Sequence, residues 1–134
     1  MDFLDQHDYG DLPNVTLLEQ MFKDTGKPII LGEFSFTAAD SNMPNTRGAR
    51  AGHPERTQTR RAEKYLAFAT EVAKAPFMLG YGWWNAFDEP STGRWPDGEC
   101  SNYGIFSLAG DIYTTLAAAM TKFHAGAGAL HEAA

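Results

Sequence analysis

Cysteine is almost missing from this sequence of 134 residues. Cys100 stands alone, so no disulfide can close within the chain, and cysteine usage leaves the redox compartment open. No apolar run approaches the ~20 residues that cross a bilayer as a helix, and Met1 opens no signal-peptide pattern. Cations are the scarcer charge: 11 Lys+Arg stand against 17 Asp+Glu, a formal charge of −6. Phosphate backbones are held by clustered Lys and Arg, so neither nucleic acid nor a membrane is expected as a partner. The one basic cluster, Arg56, Arg60, Arg61 and Lys64, has helical spacing, includes Glu63 and reads as a solvated helix face. What is present is the balance of a globular chain, 43% hydrophobic and 21% charged. A chain of this length buries one core and removes about 65–70% of its unfolded surface from water.

The hydrophobic pattern alternates strand and helix three times. Strands are expected near residues 2–7, 28–33 and 77–84, and helices near 16–25, 56–75 and 111–124. The first helix carries Leu17, Leu18, Met21 and Phe22 on one stripe, behind a capping-box spacing at Thr16-Leu17-Leu18-Glu19. Gly26 and Pro28 stop it. Pro28-Ile29-Ile30-Leu31-Gly32-Glu33 is an unbroken apolar run, as a parallel strand covered on both faces requires. Ala62, Tyr65, Leu66, Ala69, Val72 and Ala73 form the stripe of the second helix, which Pro76 is expected to end. In the run from Phe77 to Trp84, Gly80 and Gly82 mark close approach to the backbone. The Ala/Gly-rich segment 126–134 is expected as a disordered tail. Such alternation means an α/β architecture with parallel strands, residues 1–125 forming one domain. The loops Phe34 to Glu55 and Asn85 to Ser107 run about twenty residues each. Loops of that length are functional more often than not, and both leave the carboxyl ends of strands, where α/β proteins place their chemistry.

Glu33 ends an apolar strand, follows a glycine and opens a long loop. A carboxylate there is either solvated by a site or neutralised as a structural partner of an arginine such as Arg47, Arg50 or Arg94. His7 and Tyr9, after the first strand, point to the same mouth. A metal site from His7, Asp5 and Glu33 lacks any diagnostic ligand spacing. Of the adjacent Trp83 and Trp84, only one can face the site, because neighbouring strand residues point to opposite faces. An indole at a strand mouth suits the apolar face of a sugar ring, and a place in the core suits it equally. The loop Gly93 to Gly104 mixes charge, amides and aromatics, the inventory either of a carbohydrate site or of a loop that braces itself. Asn14-Val15-Thr16 matches a glycosylation sequon, but capping of the first helix accounts for it better. Gly80-Tyr81-Gly82 is no dinucleotide fingerprint, and no nucleophile elbow or phosphate loop is present.

Several of these segments, taken in order, resemble a retaining glycoside hydrolase. They are Gly32-Glu33-Phe34-Ser35-Phe36, Asp40 to Thr46, Thr57-Gln58, Arg61-Ala62 with Tyr65, and Gly80 to Trp84. Asp88-Glu89-Pro90, Gly93-Arg94, Asp97-Gly98-Glu99 and Asn102-Tyr103-Gly104 continue the series. Over most of Lys27 to Tyr113 the pattern is similar to the C-terminal part of β-agarase and β-galactosidase-like enzymes with a (β/α)8 barrel. The resemblance implies the sixth to eighth βα repeats of a TIM barrel. It makes Glu33 the catalytic nucleophile and Trp83 the platform under the sugar, with His7 and Tyr9 contacting the sugar or orienting Glu33. Asp88, Arg94 and Glu99 would be further substrate contacts. The implied substrate is a galactose-containing polysaccharide or oligosaccharide of the agarose kind. No cofactor and no metal is implied, and a secreted or periplasmic location follows if the resemblance holds.

The sequence departs from that family in one respect. Retaining hydrolysis uses two carboxyl groups about 5–5.5 Å apart. In this clan the acid/base glutamate follows an asparagine, and no Asn-Glu pair occurs here. A complete barrel takes about 250 residues. The expectation is therefore a fragment, or one half of a split enzyme, inactive alone and dependent on a missing N-terminal barrel half. Exposed strand edges should make the isolated chain unstable, self-associating or partner-dependent. Two other readings stand beside this one: a non-catalytic carbohydrate-binding remnant, and a self-contained small α/β domain in which Glu33 is structural.

Overall fold

A computed structural model describes residues 2–46 and 53–134. Three parallel strands, β1 (Leu4–His7), β2 (Ile29–Phe34) and β3 (Met78–Trp83), lie in the order β1-β2-β3. Helices α1 (Val15–Thr25), α2 (Gln58–Ala73) and α3 (Thr114–Glu132) follow them in turn, and a short 3-10 turn covers Ala39–Ser41. The expected α/β alternation with a parallel sheet is present. Both sheet edges have a strand on one side only among the described residues, and on β3 the edge carries Leu79, 62% exposed.

The helices start and stop where local chemistry permits. Asn14 caps α1, its side chain accepting from the Leu17 N–H at 3.1 Å. Thr16 therefore lies inside the first turn, and the expected capping box at Thr16 is not the start. Gly26 ends α1 at φ 65°, the left-handed conformation that favours glycine. Thr57 caps α2 through a bond from the Arg60 N–H.

The third helix departs from expectation at both ends. Residues 111–113 are held in a bridge with Phe106, so α3 begins at Thr114. The segment expected as a disordered tail is helical as far as Glu132. Alanine, the best helix former, recurs between the glycines there, and the His131 ring lies 2.9 Å from the carbonyl of Ala73 at the end of α2.

The core lies between one sheet face and the helices, with Leu18, Ile29, Leu31, Phe34, Tyr65, Phe68, Ala69, Val72 and Leu116 nearly or wholly inaccessible. Each large apolar side chain so buried contributes about 1.5–3 kcal/mol. Phe34 is its centre, stacked on Phe68 at 4.3 Å between ring centroids and edge-on to Tyr81 and Trp83, each at 5.3 Å. Strict alternation from Ile29 and Leu31 would send Glu33 into this core. The register slips between Leu31 and Phe34, however, and that extra residue turns Phe34 inward and Glu33 out to the open face.

Two of the glycines have different reasons for being glycine. A Cβ on Gly82 would come within 2.5 Å of the Gly32 carbonyl oxygen, so there the close approach is real. A Cβ on Gly80 would meet nothing within 4 Å, and its φ of 150° is what requires glycine.

Candidate active site

The carboxyl ends of the three strands deliver the site. A second register slip, between Gln6 and His7, sets His7 directly opposite Glu33, and the Asp8 N–H then donates to the Glu33 carbonyl at 3.1 Å. The Tyr9 hydroxyl donates to Glu33 Oε2 at 2.8 Å, and His7 Nδ1 lies 3.1 Å from the same oxygen. No hydrogen bond from a described residue reaches Glu33 Oε1. Burial, then the bond to the Glu33 carboxylate, holds the Tyr9 hydroxyl well above the ordinary phenol range, so Tyr9 stays a donor. His7, Tyr9 and Glu33 are thus brought together as one group.

Tyr9 also shares a cleft with Ser35 and Thr37 from the loop after β2 and with Tyr103 from the loop after β3. The Ser35 hydroxyl in that cleft is buried and makes no hydrogen bond among the described residues. Tyr103 donates its hydroxyl to Glu99 Oε1 at 2.9 Å. Its own carbonyl accepts from Trp83 Nε1 at 2.9 Å and from the Asn85 N–H at 3.3 Å. Tyr103 therefore lines the cleft from the third loop, braced within that loop and against β3. Nothing in the segment Asn102-Tyr103-Gly104 announces that place.

Four of the residues expected to touch substrate are engaged by other groups of the chain. Trp83 packs on the core side of the sheet. Its ring packs edge-on to Phe34 and Tyr65 (5.3 and 5.7 Å), and the Arg61 guanidinium lies 5.4 Å away. Trp83 is opposite Phe34 in the sheet and shares its core-facing side, which leaves Trp84 on the side of Glu33. Trp84 has the Arg94 guanidinium 5.5 Å from its ring. Asp88 is 4% exposed and fully engaged, accepting from Asn102 Nδ2 (2.8 Å), the Gly104 N–H (2.9 Å) and the Tyr113 hydroxyl (2.6 Å). Arg94 lies between Glu89, Asp97 and Glu99, at 3.0, 2.8 and 2.8 Å. Glu99 has one oxygen on Tyr103 and the other on Arg94. Asp88, Arg94 and Glu99 brace the loop: Asp88 through Asn102, Gly104 and Tyr113, and Arg94 and Glu99 through each other.

Arg94 is therefore no partner for Glu33, and the other arginines considered for that role, Arg47 and Arg50, lie outside the described residues. Arg61 supports the same loop from beneath. Fully buried, it donates from Nε to the Phe36 carbonyl (2.7 Å) and from a terminal nitrogen to the Gly104 carbonyl (2.9 Å). Burial brings its pKa down to about 10, against the pull of Asp88, and it remains a cation. Glu89 is the unusual carboxyl. It is 3% exposed, and neither side-chain oxygen accepts a hydrogen bond from a described residue, although Arg94 lies 3.0 Å from one of them. Burial first, and then the nearby Glu99 charge, push its pKa up to about 7. Such a value suits a general acid, but so buried a carboxyl offers no atom to a ligand.

No family model matches the chain. Against characterised proteins the chain is 36% identical over 98 residues to "Beta-agarase B" of Vibrio sp. (strain JT0107), which covers 73% of this chain. Over that span the chain is similar to the β-agarases. It spans only about 10% of the length of that relative. Among solved structures, an agarase crystal structure superposes with a TM-score of 0.84 at 24% identity, over 98% of this chain and 20% of its own. An exo-β-agarase gives 0.85 at 25% identity, over 97% and 17%. The α/β unit described above thus matches a part of larger agarase folds.

Proposed function

We propose that this chain forms the nucleophile-bearing part of a retaining β-glycoside hydrolase acting on a galactose-containing polysaccharide of the agarose type. In this reading its three βα units are the sixth to eighth of a (β/α)8 barrel. The open edges of β1 and β3 pair with barrel units outside these 134 residues, which also supply the acid/base glutamate. The observation that carries the proposal is the Glu33 carboxylate at a strand's carboxyl end, turned out of the core and fixed through one oxygen only. Similarity to the β-agarases gives it its substrate class.

Glu33 Oε1 attacks the anomeric carbon. The bond from that carbon to the leaving oxygen breaks, and the leaving oxygen takes a proton from the acid/base carboxyl. A water, deprotonated by the same carboxyl, then displaces Glu33 from the anomeric carbon. Tyr9 and His7 on Oε2 orient the carboxylate and leave its second oxygen to react. Their donors also stabilise the negative charge that returns to Glu33 when the glycosyl-enzyme bond breaks. Trp84, on the Glu33 side, is the platform for the sugar at the cleavage point, a role its neighbour Trp83 gives up to the core.

The test is a chimera in which this chain replaces its matching segment in the Vibrio β-agarase B. Agarose hydrolysis by the chimera that is lost at least a thousandfold in Glu33→Gln, with azide-dependent turnover of an activated aryl glycoside in Glu33→Gly, supports the proposal. An active chimera indifferent to Glu33→Gln overturns it.

A further inference from the structure

We propose that Trp95 is a second sugar-stacking platform, a rim subsite for a neutral pyranose unit of the polysaccharide; the inference rests on the glycoside-hydrolase reading above. Trp95 is 92% exposed, far beyond any other large apolar side chain among the described residues. Leaving an indole in water forgoes the stabilisation its burial would bring, so a fold with room in its core gains nothing from placing it there.

The mounting is rigid. The Arg94 N–H donates to the Glu99 carbonyl at 2.8 Å and the Gly98 N–H to the Arg94 carbonyl at 2.7 Å, closing a tight turn under Trp95. Arg94 grips Asp97 through two nitrogens, at 3.0 and 2.8 Å. Gly93 and Gly98 adopt φ of 85° and 74°, and a Cβ on Gly93 would come within 2.6 Å of the Gly98 carbonyl oxygen. A platform held this way loses little freedom when a ligand stacks on it.

The position also fits. The residue before Trp95 holds its guanidinium over Trp84, so one arginine links the turn that carries the exposed indole to the indole on the Glu33 side of the sheet. The surrounding charge selects the ligand. One guanidinium is shared among three carboxylates, a net negative cluster that repels anionic polymers. An uncharged polysaccharide matches both the apolar face and this rim.

The experiment titrates the full chain with agarose-derived oligosaccharides, following tryptophan fluorescence and, separately, sedimentation, with dextran oligosaccharides as control. Trp95→Ala removes a side chain with few internal contacts, and Trp95→Phe keeps a smaller platform. The proposal expects wild type to bind, Trp95→Ala to bind about tenfold more weakly, as loss of one aromatic stack does, and Trp95→Phe to fall between. Binding by wild type that Trp95→Ala leaves unchanged overturns the subsite and leaves the hydrolase reading standing. No binding by wild type overturns the subsite and leaves the hydrolase reading to the chimera. Sedimentation in which Trp95→Ala alone dissolves a self-associated species makes Trp95 an interface residue and overturns the subsite.

Discussion

Tyr9 donates to Oε2 of Glu33 at 2.8 Å, and His7 approaches the same oxygen, so the two carboxylate oxygens of Glu33 are chemically unequal. A hydrogen bond to a charged acceptor contributes roughly 1.5–3 kcal/mol. Tyr9→Phe in the agarase chimera should lower kcat about 10–100-fold with little change in KM, since the bond matters most when charge returns to Glu33. Steady-state kinetics on agarose oligosaccharides check it; a change confined to KM would make Tyr9 a binding contact only.

Asp88→Asn should unfold the site rather than tune it. Asp88 accepts three bonds from donors on two segments, and an amide nitrogen facing Asn102 and Gly104 sets donor against donor, while one facing Tyr113 makes that hydroxyl give up its charged acceptor. A loss of about 2–4 kcal/mol in urea unfolding is expected, the scale of a broken buried network. A change within ~0.5 kcal/mol would mean that the loop does not hang on Asp88.

Glu89 makes stability fall as pH rises. Its folded pKa of about 7 lies above its ordinary value of 4.5, so the folded state holds the proton more tightly than the unfolded one. The stability this contributes is complete below pH 4.5 and is lost as pH climbs through 7. Glu89→Gln, which cannot ionise, should be more stable than wild type at pH 8 by roughly 1–3 kcal/mol, with the difference shrinking toward pH 4. Thermal melts of the two proteins across that range decide it; a parallel pair of pH profiles would refute the buried, unbonded carboxyl.

Gly82→Ala should push β2 and β3 apart, because the new methyl meets the Gly32 carbonyl, a backbone atom that cannot swing away. A destabilisation of about 1–3 kcal/mol is expected from such overpacking, measurable by denaturant titration. Gly98→Ala, with open space around its Cβ and only an unfavourable φ of 74°, should cost about 1–2 kcal/mol, at the lower end of that range.

Much of the architecture was legible because apolar periodicity, Gly26 and the two long loops are local signals. Glu33 was legible as the polar end of an apolar strand. The reason it faces outward was not: the slip between Leu31 and Phe34 arises from pairing with β3, and no local pattern announces a bulge. The same kind of tertiary choice decided between Trp83 and Trp84, which alternation separates but cannot assign to a side. Asp88, Arg94 and Glu99 have the composition of a sugar site, and only the folded distances reveal that Arg94 and Glu99 hold each other while Asp88 is taken up by Asn102, Gly104 and Tyr113. The 126–134 segment misled through its glycines, whose helical cost is offset by interleaved alanines and the contact of His131 with α2.

The most direct test of Glu33 as the nucleophile is covalent trapping in the agarase chimera. A 2-deoxy-2-fluoro-β-galactoside with a good leaving group forms the glycosyl-enzyme and then stalls, because the fluorine slows hydrolysis of the ester. Peptide mass spectrometry should place the fluoroglycosyl group on Glu33, with no label in Glu33→Gln. Label on another carboxylate of an active chimera, Glu89 or Glu99 included, would contradict the account.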